Sequence, residues 1–160
     1  MNDMIIDGRP PLRVLVVDDW QSRHALIRRV FSDSHTPACL EYRFGPEYVT
    51  DQDIETADVI FLDHDMCQAQ YGACPNPVQG GSLNFLDENC GCPTGRDLVV
   101  RLTQQARRPR CVVHTANFVG GRVMVEGLRA AGFPVVQSPA DWRLGHLARS
   151  VVDSWKLYDI

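Results

Sequence analysis

The sequence predicts an α/β fold, a three-layer sandwich in which helices cover a five-stranded parallel sheet. Two observations predict it. Short apolar runs alternate along the chain with segments whose apolar residues recur at helical spacing. Three of these runs also end directly in acidic or histidine residues, as expected at the open carboxyl ends of buried parallel strands. This alternation requires right-handed crossovers and favours the receiver- or flavodoxin-like strand order 2-1-3-4-5. Helices one and five are expected on one face of the sheet, with helices two, three and four on the other.

Each strand is predicted from an apolar or alternating run, and each helix from apolar residues at intervals of three or four. Gly45-Pro46 ends the second strand, and Gly132 stops the fourth helix. The predicted strands are residues 12–17, 40–44, 58–62, 111–115 and 133–136. The predicted helices are residues 20–31, 48–57, 94–106, 121–131 and 142–155.

The length and charge of the chain limit the possible functions. A chain of 160 residues fits one domain, predicted to cover residues 1–160. The net charge of −4 and the pI of about 5.7 argue against a broad surface for duplex DNA. No run reaches the ~18 apolar residues that span a bilayer, and no signal peptide is evident. The sequence therefore predicts a cytoplasmic protein without a membrane partner.

Four of the six cysteines crowd into residues 66–93, a segment rich in Gly, Pro and Asn. A structureless loop of this length is unusual inside a compact domain, so the segment is predicted to be an insertion held by something other than a core. A structural Zn²⁺ bound by four thiolates is the favoured interpretation, with free or buried thiols and disulfides as the alternatives. The predicted zinc ligands are Cys67, Cys74, Cys90 and Cys92, whereas Cys39 and Cys111 are predicted to be buried small hydrophobic residues.

Acidic residues and histidines lie at the carboxyl ends of three predicted strands. An Asp-Asp pair follows the first strand, an Asp-His-Asp string follows the third, and a histidine lies near the end of the fourth. Because the carboxyl ends of parallel strands meet at one edge, we expect these side chains to converge on one crevice. Carboxylates suit Mg²⁺ or Mn²⁺, and imidazoles suit proton transfer. The alternatives are that the pair caps the first helix and that the histidine belongs to the core. The predicted metal ligands are Asp18, Asp19 and Asp63, and the predicted catalytic residues are Asp63, His64, Asp65 and His114.

Small polar residues and glycines stand before the third and fourth helices, where hydroxyl, amide and backbone N–H groups can bind phosphate oxygens. A Gly-Gly turn before the fourth helix is a weak signal when taken alone. The predicted phosphate-binding residues are Thr94, Thr115, Asn117, Gly120 and Gly121.

Taken together, the VLVVDD, FLD, Thr-Gly and HTA segments resemble the receiver domain of two-component response regulators, over nearly the whole chain. In that family an acidic pair after strand one holds Mg²⁺, an Asp ending strand three accepts phosphate, and a Thr or Ser ends strand four. The matching residues here are Asp18 and Asp19, Asp63, and Thr115.

Two features depart from the receiver pattern. Receivers carry a Lys after strand five that binds the phosphoryl group, but here that region reads PVVQSPADW, and the only lysine is Lys156. Receivers also follow their phosphorylated Asp with an apolar residue and a Met-Pro turn, whereas Asp63 is followed by His64, Asp65 and the insertion. The resemblance therefore does not imply an ordinary phosphorylation switch.

A closer resemblance is to the cyclic-phosphate-processing receiver-like domains. Their hallmarks are an acidic pair after strand one, LDHD after strand three, Thr-Gly at helix three, and H-[ST]-x-N followed by Gly after strand four. This chain has LDHD at residues 62–65, Thr94-Gly95, and HTAN at residues 114–117 with Gly120. The resemblance implies action on cyclic phosphate ends of RNA or nucleotides.

The sequence therefore predicts a metal-assisted phosphoesterase, a hydrolase that acts on a cyclic or terminal phosphate of a nucleotide or RNA end. His64 and His114 would be its acid and base, and Thr115 and Asn117 would hold phosphate oxygens. One alternative is a non-enzymatic receiver-like module that binds a nucleotide or a protein partner. The other is a divergent receiver phosphorylated at Asp63.

Overall fold

A computed structural model describes residues 10–33, 37–66 and 92–138. Within these residues five strands form one sheet: β1 (Leu12–Val17), β2 (Ala38–Arg43), β3 (Val59–Leu62), β4 (Arg110–Val113) and β5 (Val135–Gln137). All neighbouring strands are parallel, and their order is β2-β1-β3-β4-β5. The predicted parallel α/β sandwich and its strand order are thus confirmed, and β3 lies at the centre of the sheet.

The described residues form four α-helices: α1 (Gln21–Asp33), α2 (Asp51–Thr56), α3 (Gly95–Gln104) and α4 (Phe118–Ala130). A single 3₁₀ turn at Pro46–Tyr48 precedes α2. The predicted fifth helix, at residues 142–155, lies outside the described residues. No helix in the described ranges is long and apolar enough to cross a membrane.

The strands carry apolar side chains on both faces, because helices cover the sheet from both sides. Leu15 and Val17 of β1 point to one face, while Val14 and Val16 point to the other. Side chains of α2, α3 and α4 pack on the first face, and those of α1 pack on the second, as predicted. The helical residues of the first core are Ile54, Leu98, Val99, Leu102, Met124, Val125 and Leu128, and those of the second are Ile27, Val30 and Phe31.

Helices α1 and α3 begin one residue after their predicted starts, whereas α2 and α4 begin three residues away from theirs, and capping side chains explain these two larger shifts. Helix α2 begins at Asp51 because the hydroxyl of Thr50 accepts the N–H of Asp53 and the Asp53 carboxylate accepts the N–H of Thr50. Helix α4 begins at Phe118 because the side-chain oxygen of Asn117 accepts the N–H of Gly120 at 2.8 Å. The two glycines predicted to form a turn before this helix therefore lie in its first turn.

The two cysteines predicted to be buried differ in their exposure to solvent. Cys111, in β4, is buried, and loss of hydration raises the pKa of its thiol to about 12. Cys39 is exposed, contrary to the prediction, because β2 is the edge strand of the sheet.

Candidate functional site

Three carboxylates meet where β1 and β3 end. Val17 of β1 is in register with Leu62 of β3, so Asp18 and Asp63 follow at the same level. The structure brings one ligand oxygen from each of Asp18, Asp19 and Asp63 within 4.8 Å of one another. We call these three residues the carboxylate cluster. Asp18 and Asp63 are buried, and a set of hard oxygen donors at this spacing fits Mg²⁺ or Mn²⁺.

A guanidinium group lies among these carboxylates. Arg23 Nη2 is 2.9 Å from Asp63 Oδ2, and Arg23 Nε is 3.2 Å from Asp18 Oδ2. The distance from Nη2 to Asp19 Oδ1 is 3.9 Å. The Arg23 side chain is only 11% exposed, and its guanidinium carbon lies 5.1 Å from the centre of the Trp20 ring. Arg23 is not among the site residues predicted from the sequence. Its spacing of four residues from Asp19, near the start of the first helix, is the signal that could have indicated an ion pair between them.

Burial and charge oppose each other in the carboxylate cluster. Loss of hydration raises the pKa of both Asp18 and Asp63, because burial disfavours the charged form. The negative charge of Asp63 raises the pKa of Asp18 further, whereas Arg23 lowers the pKa of both residues. Hydrogen bonds from the His64 backbone N–H, at 2.8 Å, and from the Thr115 side chain also favour the ionised form of Asp63.

His114, which directly follows β4, lies beside the carboxylate cluster. Its ring is fully buried, and Nδ1 lies 3.5 Å from Asp18 Oδ2. Loss of hydration lowers the pKa of His114 to about 3, and the nearby positive charge of Arg23 acts in the same direction. The imidazole is therefore neutral near pH 7, and its contact with Asp18 is not an ion pair.

His64 makes contacts that differ from those of His114. Its Nδ1 lies 2.6 Å from Asp65 Oδ1, and the amide nitrogen of Asn117 lies 3.2 Å from that same oxygen. The chain bends at His64, which lies beyond the end of β3. The structure thus places His114 beside the carboxylate cluster, and His64 in a group with Asp65 and Asn117. The catalytic roles of these residues stay predictions.

The predicted phosphate-binding groups are engaged at helix starts. The N–H of Gly120 donates to the Asn117 side chain, and the N–H of Gly121 donates to the Asn117 carbonyl. The Thr115 hydroxyl accepts the N–H of Asn117 at 3.1 Å. Thr94 caps α3, where its backbone N–H donates to Asp97 and its hydroxyl accepts the N–H of Arg96. These contacts show a structural role, while phosphate binding by these residues stays a prediction.

Replacing Thr94 with alanine is expected to lower the free energy of unfolding by about 1 kcal/mol, because the first turn of α3 loses its cap. Urea unfolding measures the change. Thr94→Ser keeps the hydroxyl and serves as the control, with an expected change of a few tenths of a kcal/mol. Equal losses in the two variants would show that the hydroxyl does not carry the effect.

The zinc prediction rests on residues that the structure largely leaves undescribed. Cys67, Cys74 and Cys90 lie outside the described ranges. Cys92 is half-buried two residues before the α3 cap, Thr94. The described residues give no support for zinc, and the site stays a prediction.

The sequence matches no family model and no curated protein. Solved structures of response-regulator receiver domains share its fold. The phosphorylated cyanobacterial phytochrome response regulator RcpA is 12% identical, with a TM-score of 0.60 and coverage of 94% of this chain and 97% of RcpA. The response regulator domain of Thermotoga maritima CheB is 16% identical, with a TM-score of 0.59 and coverage of 92% and 95%. The Mn²⁺-bound response regulator Rcp1 is 15% identical, with a TM-score of 0.60 and coverage of 91% and 94%.

These similarities correct the functional prediction. The fold is that of a receiver domain, and the neighbours give no support to the cyclic-phosphate-processing family. The prediction of a phosphoesterase, and with it of a hydrolase in RNA processing, is wrong. The receiver neighbours share the fold that the alternative, a divergent receiver, requires. The LDHD and HTAN segments are short, and short motifs do not specify a reaction on a fold that hosts many functions. The nucleotide or RNA partner and the cytoplasmic location stay predictions.

Proposed function

We propose that this protein is a divergent receiver domain that accepts a phosphoryl group on Asp63. The observation that carries the proposal is the position of Asp63, which follows the central strand and faces Asp18 and Asp19 in the carboxylate cluster. Thr115, from the end of the neighbouring strand, hydrogen-bonds to Asp63. This arrangement has the same order along the chain as the acidic pair, acceptor Asp and Thr that the resemblance to receivers implies.

The chemistry requires a carboxylate, a positive environment and a way to limit water. A carboxylate oxygen of Asp63 would attack the phosphorus of a small phosphodonor, forming an acyl phosphate as the bond to the leaving group breaks. Asp18, Asp19 and Asp63 would hold Mg²⁺ or Mn²⁺, which neutralises phosphoryl oxygens when bound. Rcp1, which shares the fold, has been crystallised in a Mn²⁺-bound form. Arg23 favours ionised Asp63, and burial limits the access of water to the acceptor.

The Asp63→Asn variant is expected to lose phosphorylation completely, since an amide oxygen does not form the acyl phosphate. The test incubates the folded chain with Mg²⁺ and a small acyl phosphate and follows the gain of one phosphoryl group by intact-protein mass spectrometry. Asp58→Asn is the matched control. It alters an acidic residue at the opposite end of β3, where Asp58 pairs with Arg107, and should be phosphorylated normally. Phosphorylation that persists in Asp63→Asn would disprove the assignment.

A second candidate is a receiver-like module that binds a partner without being phosphorylated. One observation favours it: β5 ends at Gln137, and Ser138 follows, where receivers carry the phosphoryl-binding Lys. A wild-type chain that stays folded but unmodified in the same experiment would support this candidate over the first.

A further inference from the structure

We propose that Arg23 is an internal cation that competes with the divalent ion for the carboxylate cluster, so that ion binding requires its guanidinium to move. The inference deepens the proposed function, because it concerns how the same site is controlled. It rests on which carboxylate oxygens are already engaged, on where the guanidinium lies, and on how well it is buried.

One oxygen of each buried carboxylate is held by backbone. The N–H of Trp20 donates to Asp18 Oδ1 at 2.7 Å, and the N–H of His64 donates to Asp63 Oδ1 at 2.8 Å. These bonds orient both side chains, so that the second oxygen of each faces into the cluster. Arg23 contacts both of these second oxygens, Asp18 Oδ2 at 3.2 Å and Asp63 Oδ2 at 2.9 Å. The oxygens best placed for an ion are therefore those that the guanidinium occupies.

A divalent ion and the guanidinium cannot share this position without a large repulsion. Mg²⁺ lies ~2.1 Å from its ligand oxygens, so an ion bound to these oxygens would be almost in contact with the Arg23 nitrogens. Two positive charges this close, in a site shielded from water, repel strongly. The guanidinium must leave before the ion can bind at full strength.

The surroundings of Arg23 hold the guanidinium in the cluster. Arg23 is the third residue of α1, and its backbone N–H donates to the Trp20 carbonyl at 2.9 Å. The Trp20 ring lies beside the guanidinium, which adds a cation–π contact. Displacement by an ion would expose this ring further and return the guanidinium to solvent. The expected consequence is weak ion binding in the wild-type chain.

The experiment measures Mn²⁺ binding by the electron paramagnetic resonance signal of free Mn²⁺, at fixed pH and without any phosphodonor. Arg23→Gln should bind Mn²⁺ about tenfold more tightly than wild type, since a positive charge is removed from the cluster. Arg23→Lys keeps the charge and should stay within about threefold of wild type. Arg29→Gln is the matched control: this exposed arginine on α1 pairs with Asp33 and should leave the affinity unchanged. Equal affinities in wild type and Arg23→Gln, or weaker binding by that variant, would overturn the proposal.

A second measurement uses the wild-type chain, in case Arg23→Gln does not fold. The Nε–H resonance of Arg23, assigned by its loss in Arg23→Lys, should shift and exchange faster with water as Mg²⁺ is added. An Nε–H resonance that stays unchanged while Mg²⁺ saturates the site would overturn the competition. Neither readout depends on phosphorylation, so failure of phosphoryl transfer to Asp63 would leave this result standing.

Discussion

Replacing Gly95 with alanine is expected to lower the free energy of unfolding by about 2–3 kcal/mol, in the range found when a packed site is overfilled. A Cβ at this position would overlap the backbone carbonyl oxygen of Asp63 and would lie 2.7 Å from Met124 Cε. The Met124 side chain can move, but the carbonyl belongs to the backbone directly after β3. The N–H of Gly95 also donates to the His64 carbonyl at 3.0 Å, which holds the start of α3 against this segment.

Urea unfolding of the wild type, Gly95→Ala and Gly127→Ala compares the effects of the two substitutions on the free energy of unfolding. Gly127 lies inside α4, and a Cβ there would meet Val99 Cγ1 at 3.5 Å, an ordinary contact. Gly127→Ala should therefore stabilise the protein by about 0.5–1 kcal/mol, because alanine is the better helix former. A similar gain in Gly95→Ala would show that α3 does not approach the Asp63 carbonyl closely. Because the predicted strain falls on the acceptor segment, Gly95→Ala should also slow phosphorylation of Asp63.

The Gly120→Ala substitution is expected to cost about 1–3 kcal/mol, although alanine normally stabilises a helix. A Cβ at Gly120 would lie 2.5 Å from Nε2 and 2.6 Å from Cγ of the His64 ring, far inside normal contact. His64 is buried and has Asp65 on the other side of its ring at Nδ1, so the imidazole has little freedom to retreat. The substitution should drive the ring out of its position.

A double-mutant cycle with His64→Ala isolates this contact. Once the imidazole is absent, Gly120→Ala should be neutral or stabilising, which gives a coupling energy of about 1–3 kcal/mol between the two sites. Thermal or urea unfolding of the four proteins provides the numbers. If Gly120→Ala costs the same in both backgrounds, then the ring is not the group that excludes a side chain at position 120.

The sequence predicted the sheet well because its signals are local. Apolar runs that end in charged residues mark parallel strands, and each such end is visible without any tertiary information. Val17 and Leu62 are the last residues of their strands, so the adjacency of Asp18 and Asp63 followed directly from the predicted strand order. The carboxylate cluster could therefore be predicted, and with it a site suited to a divalent ion.

Helix starts were predicted less well, because the capping bonds join a side chain to a particular backbone N–H. Asn117 is predicted from the sequence to bind phosphate, and in the structure its side-chain oxygen accepts the N–H of Gly120 at the start of α4. Thr94-Gly95 is one of the short segments that carry the resemblance to receiver-like domains. The structure gives the pair two physical tasks: the first residue caps α3, and the second allows the helix to approach the Asp63 carbonyl.

The sequence by itself determined the strand order, the two apolar faces of the sheet and the meeting of Asp18, Asp19 and Asp63, since these follow from periodicity and from where each apolar run stops. Only the tertiary structure decided what surrounds those carboxylates. A surface arginine and a buried one look alike in a sequence, because the difference lies in which side chains from other elements enclose it. Packing of α1 against the sheet places the Arg23 guanidinium between Asp18 and Asp63. Burial of the His114 imidazole, directly after β4, lowers its pKa and keeps it neutral beside the carboxylates.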